Sequence, residues 1–281
     1  MNNYTYIDTT EKLINFRKYL NDKNITKIAM DFEGEFNLHI YGEKLCLIQI
    51  FDGEKYFVID PFNIADSEIC KTLNNPKIVK YMYGADSDIN LIYKQYGIKL
   101  RNVFDQKIFV DVLNFDKKGL DSVIHVLFGV ENKLKTKFQK HNWVRRPITP
   151  AAIIYALNDV KYLFEMNDLL IKKIIDENKV NELITRIITN DFDFEKERKP
   201  KIFKEREFNR LSENNKKLFH QIYETRDVYA KMLNMPPHNV LENMLLFDIV
   251  NKKIKIDKIN FNKRIPGAII SEMRDKFRKI I

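Results

Sequence analysis

The chain of 281 residues carries only two cysteines, Cys46 and Cys70. Two are too few for a disulfide framework, and they stand at no metal-ligand spacing. No stretch approaches the roughly 18 consecutive apolar residues that a membrane-spanning helix needs. Residues 1–10 are polar and lack a basic segment followed by an apolar one, so no secretory signal is read there. Internal repeats and low-complexity tracts are missing as well. These absences argue against a disulfide-stapled secreted domain, a membrane protein and a repeat array. They leave the expectation of a soluble, monomeric protein of the reducing cytoplasm.

What is there is a chain able to build a core: 44% of its residues are hydrophobic. The length suits one large domain, or one domain with a small companion. The formal charge is +9, and its placement says more than its total. Residues 1–190 hold 27 Lys and Arg against 25 Asp and Glu, while residues 191–281 hold 21 against 14. Residues 251–281 alone hold 10 basic and 3 acidic side chains. A basic patch of this kind is what phosphate contacts require, since each one releases condensed counterions. Charge alone fits a solvated surface equally well.

The first third reads as strands: Lys27–Glu33, Leu45–Phe51 and Tyr56–Asp60, the last two joined through Asp52-Gly53, a hairpin signal. Short links predict an antiparallel meander. Asp66–Leu73 reads as a helix, Ile78–Tyr83 as a buried strand, and Ser87–Tyr96 as a helix stopped by Gly97. Asn102–Phe104 reads as a short strand, with Asp105 placed to open the next helix, and only helical patterns follow from Gly119. A meander followed by alternating strands and helices predicts a mixed α/β sheet flanked by helices. Three segments follow from this pattern: a main domain over 1–190, a highly charged linker or wrap over 191–206 containing Pro200, and a small helical unit over 207–281 punctuated by Pro236-Pro237 and Pro266-Gly267.

Asp31 and Glu33 lie two apart on a predicted strand, so both point to one face, among Ile28, Met30 and Phe32. Two adjacent carboxylates on an apolar strand repel each other, and a divalent cation neutralises them well. The same spacing also suits the exposed face of an edge strand. Asp88 follows a strand in Tyr83-Gly-Ala-Asp-Ser-Asp-Ile89, where it also suits a helix N-terminus, as Asp86 suits a cap. Tyr155 and Asp159 are one turn apart on a helix starting near Thr149. A carboxylate and a phenol so placed can bind a cation and orient its water, or form an ordinary surface pair. The five histidines, His39, His125, His141, His220 and His238, are scattered and read as structural or surface residues.

In order and context these segments are more specific than any one of them. The sequence resembles the DEDD exonucleases of the tyrosine subclass, ribonuclease D in particular. The resemblance rests on Asp31-Phe-Glu33, Leu47-Ile-Gln-Ile50, the Asp88 segment, Phe104-Asp105, Trp143-Val-Arg-Arg-Pro-Ile-Thr149 and Tyr155-Ala-Leu-Asn-Asp159, and covers roughly residues 25–170. It departs at Tyr83, where relatives usually carry His, and at Gln106, where they usually carry Thr. Leu218–Tyr229, Met235-Pro-Pro237 and Ile265-Pro-Gly267 are similar to a single HRDC domain.

The resemblance implies an RNase H-like fold and two-metal-ion 3′→5′ hydrolysis of RNA that releases nucleoside 5′-monophosphates, with transfer-RNA precursors as the expected substrates. It implies Asp31, Glu33 and Asp159 as ligands of one Mg²⁺ or Mn²⁺, Asp31 and Asp88 as ligands of a second, and Tyr155 as the residue that orients water. Phe32 is a candidate to stack on or flank the terminal base, and Arg145 and Arg146 are candidates for phosphate contact, or equally for ordinary solvated surface arginines. Lys252, Lys253, Lys255, Lys263, Arg264, Arg274 and Lys276 are candidates for a basic RNA-binding surface. Three alternatives stay open: a nuclease of DNA or very short oligonucleotides, a catalytically inactive nucleic-acid-binding module, and an interaction protein with no metal dependence.

Overall fold

The computed structural model describes residues 3–190, 192–194 and 200–281. Compactness divides the chain into a first unit, residues 1–34 with 44–196, and a second, residues 35–43 with 197–281.

The first unit is built on a six-stranded sheet: β1 (Tyr4–Ile7), β2 (Lys27–Phe36), β3 (Glu43–Phe51), β4 (Tyr56–Ile59), β5 (Val79–Met82) and β6 (Val103–Asp105). Their order is β1-β4-β3-β2-β5-β6. The C-terminal end of β2 and the start of β3 fall within residues 35–43, which belong to the second unit. The predicted hairpin joins β3 to β4 antiparallel, and Asp52 Oδ1 accepts from the amides of Glu54 and Lys55 in the turn where Gly53 takes φ +104°. β2, β5 and β6 are parallel, as are β1 and β4. The sheet is therefore mixed and carries helices, as the pattern predicts.

Alternation along β2 sends its residues to two different cores. Ile28, Met30 and Phe32 join a cluster with Leu13, Phe16 and Leu20 of α1 (Thr10–Asp22), Ile69 and Leu73 of α2 (Asp66–Leu73), and Ile89 and Ile92 of α3 (Asp86–Tyr96). Ala29 joins the other cluster. There it meets α4 (Lys107–Val112), α5 (Leu120–Phe128), α7 (Pro150–Lys161), α8 (Leu163–Asp176) and α9 (Val180–Ile188); α6 (Lys135–Phe138) adds Phe138.

Helix α3 ends at Gly97, whose φ of +67° a side chain with a Cβ rarely adopts. Thr149 caps α7, its hydroxyl accepting from Ala152 N, with Pro150 at the first helical position. The N-cap position of α4 is Gln106, one residue past Asp105, but the Asp105 carboxylate still helps open the helix by accepting from Lys107 N at 2.9 Å.

The second unit gathers α10 (Arg206–Asn209), α11 (Glu213–Met232), α12 (Pro237–Val240), α13 (Asn243–Val250) and α14 (Gly267–Ile280) around Phe219, Leu246, Met273 and Phe277. Arg226 is buried there, its guanidinium donating to Leu241 O at 2.9 Å and Asn243 Oδ1 at 2.7 Å. Tyr41 donates to Asp227 at 2.6 Å in the same unit. Within the expected charged linker, residues 191 and 195–199 lie outside the described residues. Phe192 and Phe194 pack on the first unit's core, and Ile202 is buried in the second's. Among the described residues no helix is long and apolar enough to cross a membrane.

Candidate active site

Asp31 and Glu33 leave β2 on the face opposite Phe32, and α7 brings Asp159 to them. One carboxylate oxygen from each of the three lies within 4.8 Å of the others. Burial is the main force holding all three carboxyls well above the ordinary carboxylate range. Asp88 adds to it at Asp31; Asp31, Asp159 and Asp88 add to it at Glu33; Asp31 and Asp121 add to it at Asp159. Three acids so arranged do not ionise together without a counter-charge. Hard oxygen donors at this spacing fit a divalent cation.

Asp88 lies outside that trio but within electrostatic reach of Asp31 and Glu33. Its placement depends on Asp105. The two Asp105 oxygens accept from Gly84 N at 2.7 Å and Ala85 N at 2.9 Å, fixing the turn from which α3 starts. The Phe-Asp segment is thus a brace for Asp88, a role that its sequence position alone does not reveal.

Tyr155 sits one turn before Asp159 on α7. Its ring packs against Phe138, at 5.4 Å between centroids, and lies nearly parallel to Trp143 at 6.4 Å. Both partners are buried, so the phenol has little freedom. Burial, then the charges of Asp159, Glu33, Asp121 and Asp31, push its ionisation upward, and the hydroxyl keeps its proton. The group can orient a water molecule; it does not serve as a base near neutral pH.

Two candidates are corrected. Phe32 is 6% exposed and belongs to the core behind the sheet, since strand alternation turns it away from Asp31 and Glu33. It offers no stacking platform to a base on the carboxylate side. Arg146 is committed to the protein. It pairs with Asp60, donates through Nη2 to Cys46 O at 2.7 Å and through Nη1 to the carbonyls of Trp143 and Arg145, and its guanidinium lies over Phe62. Asp60 also accepts from the Tyr6 hydroxyl at 2.8 Å. Burial opposes its ionisation, but these bonds hold it below the usual range. The Trp-x-x-Arg-Pro segment therefore fastens the approach to α7 onto the sheet.

Arg145 is exposed, and so are Lys252, Lys253, Lys255, Lys263 and Arg264 in the second unit. Arg274 donates to Ile259 O at 3.1 Å, and Lys276 pairs with Glu272 at 3.4 Å. Glu35, the next residue on the carboxylate side of β2, is 2% exposed. It accepts from the amides of Leu38 and His39 and lies 3.0 Å from His39 Nδ1. Gln106 donates to Leu163 O at 2.7 Å, and Tyr83 donates to Lys118 O at 2.7 Å. Both departures from the expected pattern thus have structural partners.

Known proteins share this arrangement of elements. Residues 4–175 match the family described as 3′-5′ exonuclease. The Exosome complex component 10 homolog of Caenorhabditis elegans is 29% identical over 260 residues, 87% of this chain and 28% of its own length. Ribonuclease D of Desulfotalea psychrophila is 27% identical over 254 residues, 86% of this chain and 65% of its own length. The chain thus spans less than two thirds of both relatives. The crystal structure of the catalytic core of RRP6 from Trypanosoma brucei superposes with a TM-score of 0.78 at 21% identity, over 99% of this chain and 78% of that one. A structure of Brucella melitensis NrnC with bound Mg²⁺ superposes with a TM-score of 0.50 at 18% identity, over 68% of this chain and 100% of that one. Since the family match alone takes in more than half of the sequence, the chain belongs to the 3′-5′ exonuclease family.

Proposed function

We propose that the protein is a 3′→5′ exoribonuclease of the ribonuclease D type, removing nucleoside 5′-monophosphates from RNA 3′ ends. The observation that carries this reading is the convergence of Asp31, Glu33 and Asp159, from a strand and a helix far apart in sequence, on one small volume. Asp88 and Tyr155 lie within reach of it. Asp31, Glu33 and Asp159 would hold one Mg²⁺ or Mn²⁺, and Asp31 with Asp88 a second. When bound, such a pair stabilises the charge that develops on the attacking and leaving oxygens of a phosphodiester. Four carboxylates match a total cationic charge of +4. The Tyr155 hydroxyl, held by Phe138 and Trp143, orients the attacking water toward the scissile phosphate.

RNA is preferred over DNA in this reading because relatives along most of the chain are named as ribonuclease D and as exosome components. Transfer-RNA 3′ maturation is the substrate that the ribonuclease D resemblance favours. We further infer that the C-terminal unit is HRDC-like, a reading that its five helices and proline-started α12 support. In it, Lys252, Lys253, Lys255, Lys263 and Arg264 add sequence-independent contacts to longer RNA.

The test pairs 5′-labelled and 3′-labelled RNA with Mg²⁺, Mn²⁺ or EDTA, beside matched DNA and dinucleotides. A ladder shortening from the 3′ end, lost in EDTA and in Asp159→Ala, is expected. Cleavage that survives either change would remove the mechanism. Faster cleavage of DNA would redirect the substrate.

A further inference from the structure

The largest cavity among those described, about 640 Å³, opens between the segment after α4 and helix α5. The reaction described above uses none of its distinctive residues. Phe115 and His125 offer aromatic faces, Asn114 an amide, and Asp116 and Glu131 carboxylates. Its near end is the Asp121–Lys135 ion pair at 2.7 Å, which Asn132 buttresses by donating to Asp121 at 3.0 Å.

This end lies within electrostatic reach of the acid cluster. Asp121 also lines an adjoining cavity with Asn158, the neighbour of Asp159. The charge of Asp121 is felt at both Asp159 and Tyr155, and that of Lys135 at Asp159. The chain just past the lining residue Lys117 is tied down: Tyr83 donates to Lys118 O at 2.7 Å, and the Lys118 ammonium pairs with Asp111 at 2.8 Å. A braced pocket within reach of the reacting centre is what a substrate subsite requires.

Charge narrows the occupant. Lys117 and Lys135 face Asp116, Asp121 and Glu131, so the ionisable lining sums to −1 with His125 neutral. A phosphate is disfavoured there. A neutral aromatic ring that donates hydrogen bonds is favoured, because Phe115 supplies a stacking surface and Asp116 and Glu131 supply acceptors.

We propose that this cavity is a nucleobase subsite: it takes the base of one of the two nucleotides flanking the scissile phosphate, stacks it on Phe115, and favours bases with an exocyclic amine over uracil. The proposal rests on the exonuclease reading for the identity of the scissile bond, but base binding is measured separately from cleavage.

The full chain is titrated with triribonucleotides carrying 2-aminopurine at the 3′-terminal or the penultimate position, first in EDTA and again in Ca²⁺. Turnover of unlabelled trinucleotides is followed in Mg²⁺ or Mn²⁺. Wild type is expected to quench one of the two probes. Phe115→Ala should abolish the quench and raise KM roughly tenfold with kcat nearly unchanged, a loss of about 1.4 kcal/mol of base–aromatic stacking. Phe115→Tyr, which keeps the ring, should restore both and guards against a folding defect in the alanine variant. Substrates with uracil at the quenched position should show a higher KM than those with adenine or cytosine. Unchanged quench and KM in Phe115→Ala, or absence of quench while metal-dependent cleavage proceeds, would overturn the subsite and leave the exonuclease reading standing. A Phe115-dependent quench without any cleavage would support the subsite and remove the exonuclease reading.

Discussion

The two faces of β2 are made by the same ten residues and have opposite physics. On one face Ile28, Met30 and Phe32 sink into a sealed apolar core. On the other Asp31 and Glu33 point to Asp159 across a gap that three oxygens nearly close. The first face gains free energy from burial itself. The second loses it, because burial and like charge both oppose ionisation there. A fold keeps such a face where a ligand of opposite charge compensates it, and the strained site then binds that ligand strongly. Stability and chemistry are thus separated by a single residue's offset along one strand.

The sharpest way to break this contrast is to neutralise the polar face. Asp31→Asn should lower kcat on the order of 10³-fold or more, since several kcal/mol of charge stabilisation depend on the bound cations. The same substitution should raise the melting temperature in EDTA, because one repelling charge is gone. A lower melting temperature in EDTA would contradict the account of Asp31 as an electrostatically strained group. Calorimetry beside a cleavage assay reads both effects.

The apolar face should answer in the opposite sense. Phe32→Ala should cost about 3–5 kcal/mol of stability. At a temperature where the variant is folded, KM for RNA should stay near the wild-type value. A selective rise in KM without loss of stability would return Phe32 to the substrate.

Tyr155→Phe keeps the ring between Phe138 and Trp143 and removes only the hydroxyl. It should reduce kcat about 10²-fold, the scale of a misplaced reacting group, while metal affinity measured by calorimetric titration stays unchanged. Because burial and the neighbouring acids keep the phenol protonated, no limb of the pH–rate profile near neutrality should disappear in this variant.

The smallest expected effect is the pH dependence of the metal-free protein. Asp31, Glu33 and Asp159 have folded-state values raised above the unfolded ones. Protons are then bound more tightly by the folded protein, and this part of stability is present at low pH and lost as pH rises through the raised values. Melting temperatures in EDTA should fall across that range relative to those of Asp31→Asn. Saturating Mg²⁺ should remove the difference.

Much of the site is legible in the sequence. Period-two alternation puts Asp31 and Glu33 on one side of a strand, and a four-residue step puts Tyr155 and Asp159 on one side of a helix. Asp66–Leu73 and the αL stop at Gly97 also lie where local signals place them. β1 was not legible: a four-residue strand whose parallel partner, β4, lies some 50 residues on carries no local signature. Nor was the role of Arg146, because an arginine beside a motif looks the same whether it meets phosphate or Asp60. Phe32 could have been read correctly, since the alternation that pairs Asp31 with Glu33 sends it to the other side.

The sequence by itself determined which residues could carry the chemistry, because side-chain type and local periodicity are written in neighbouring positions. Only the tertiary structure decided which of them meet, because that depends on how a mixed sheet and its helices bring Glu33 of β2 and Asp159 of α7 together from positions far apart in the chain. It also decided what braces them. Asp105 behind Asp88, Asp60 behind Arg146, and Phe138 and Trp143 beside Tyr155 act through contacts between distant segments, and such contacts leave no trace in local sequence.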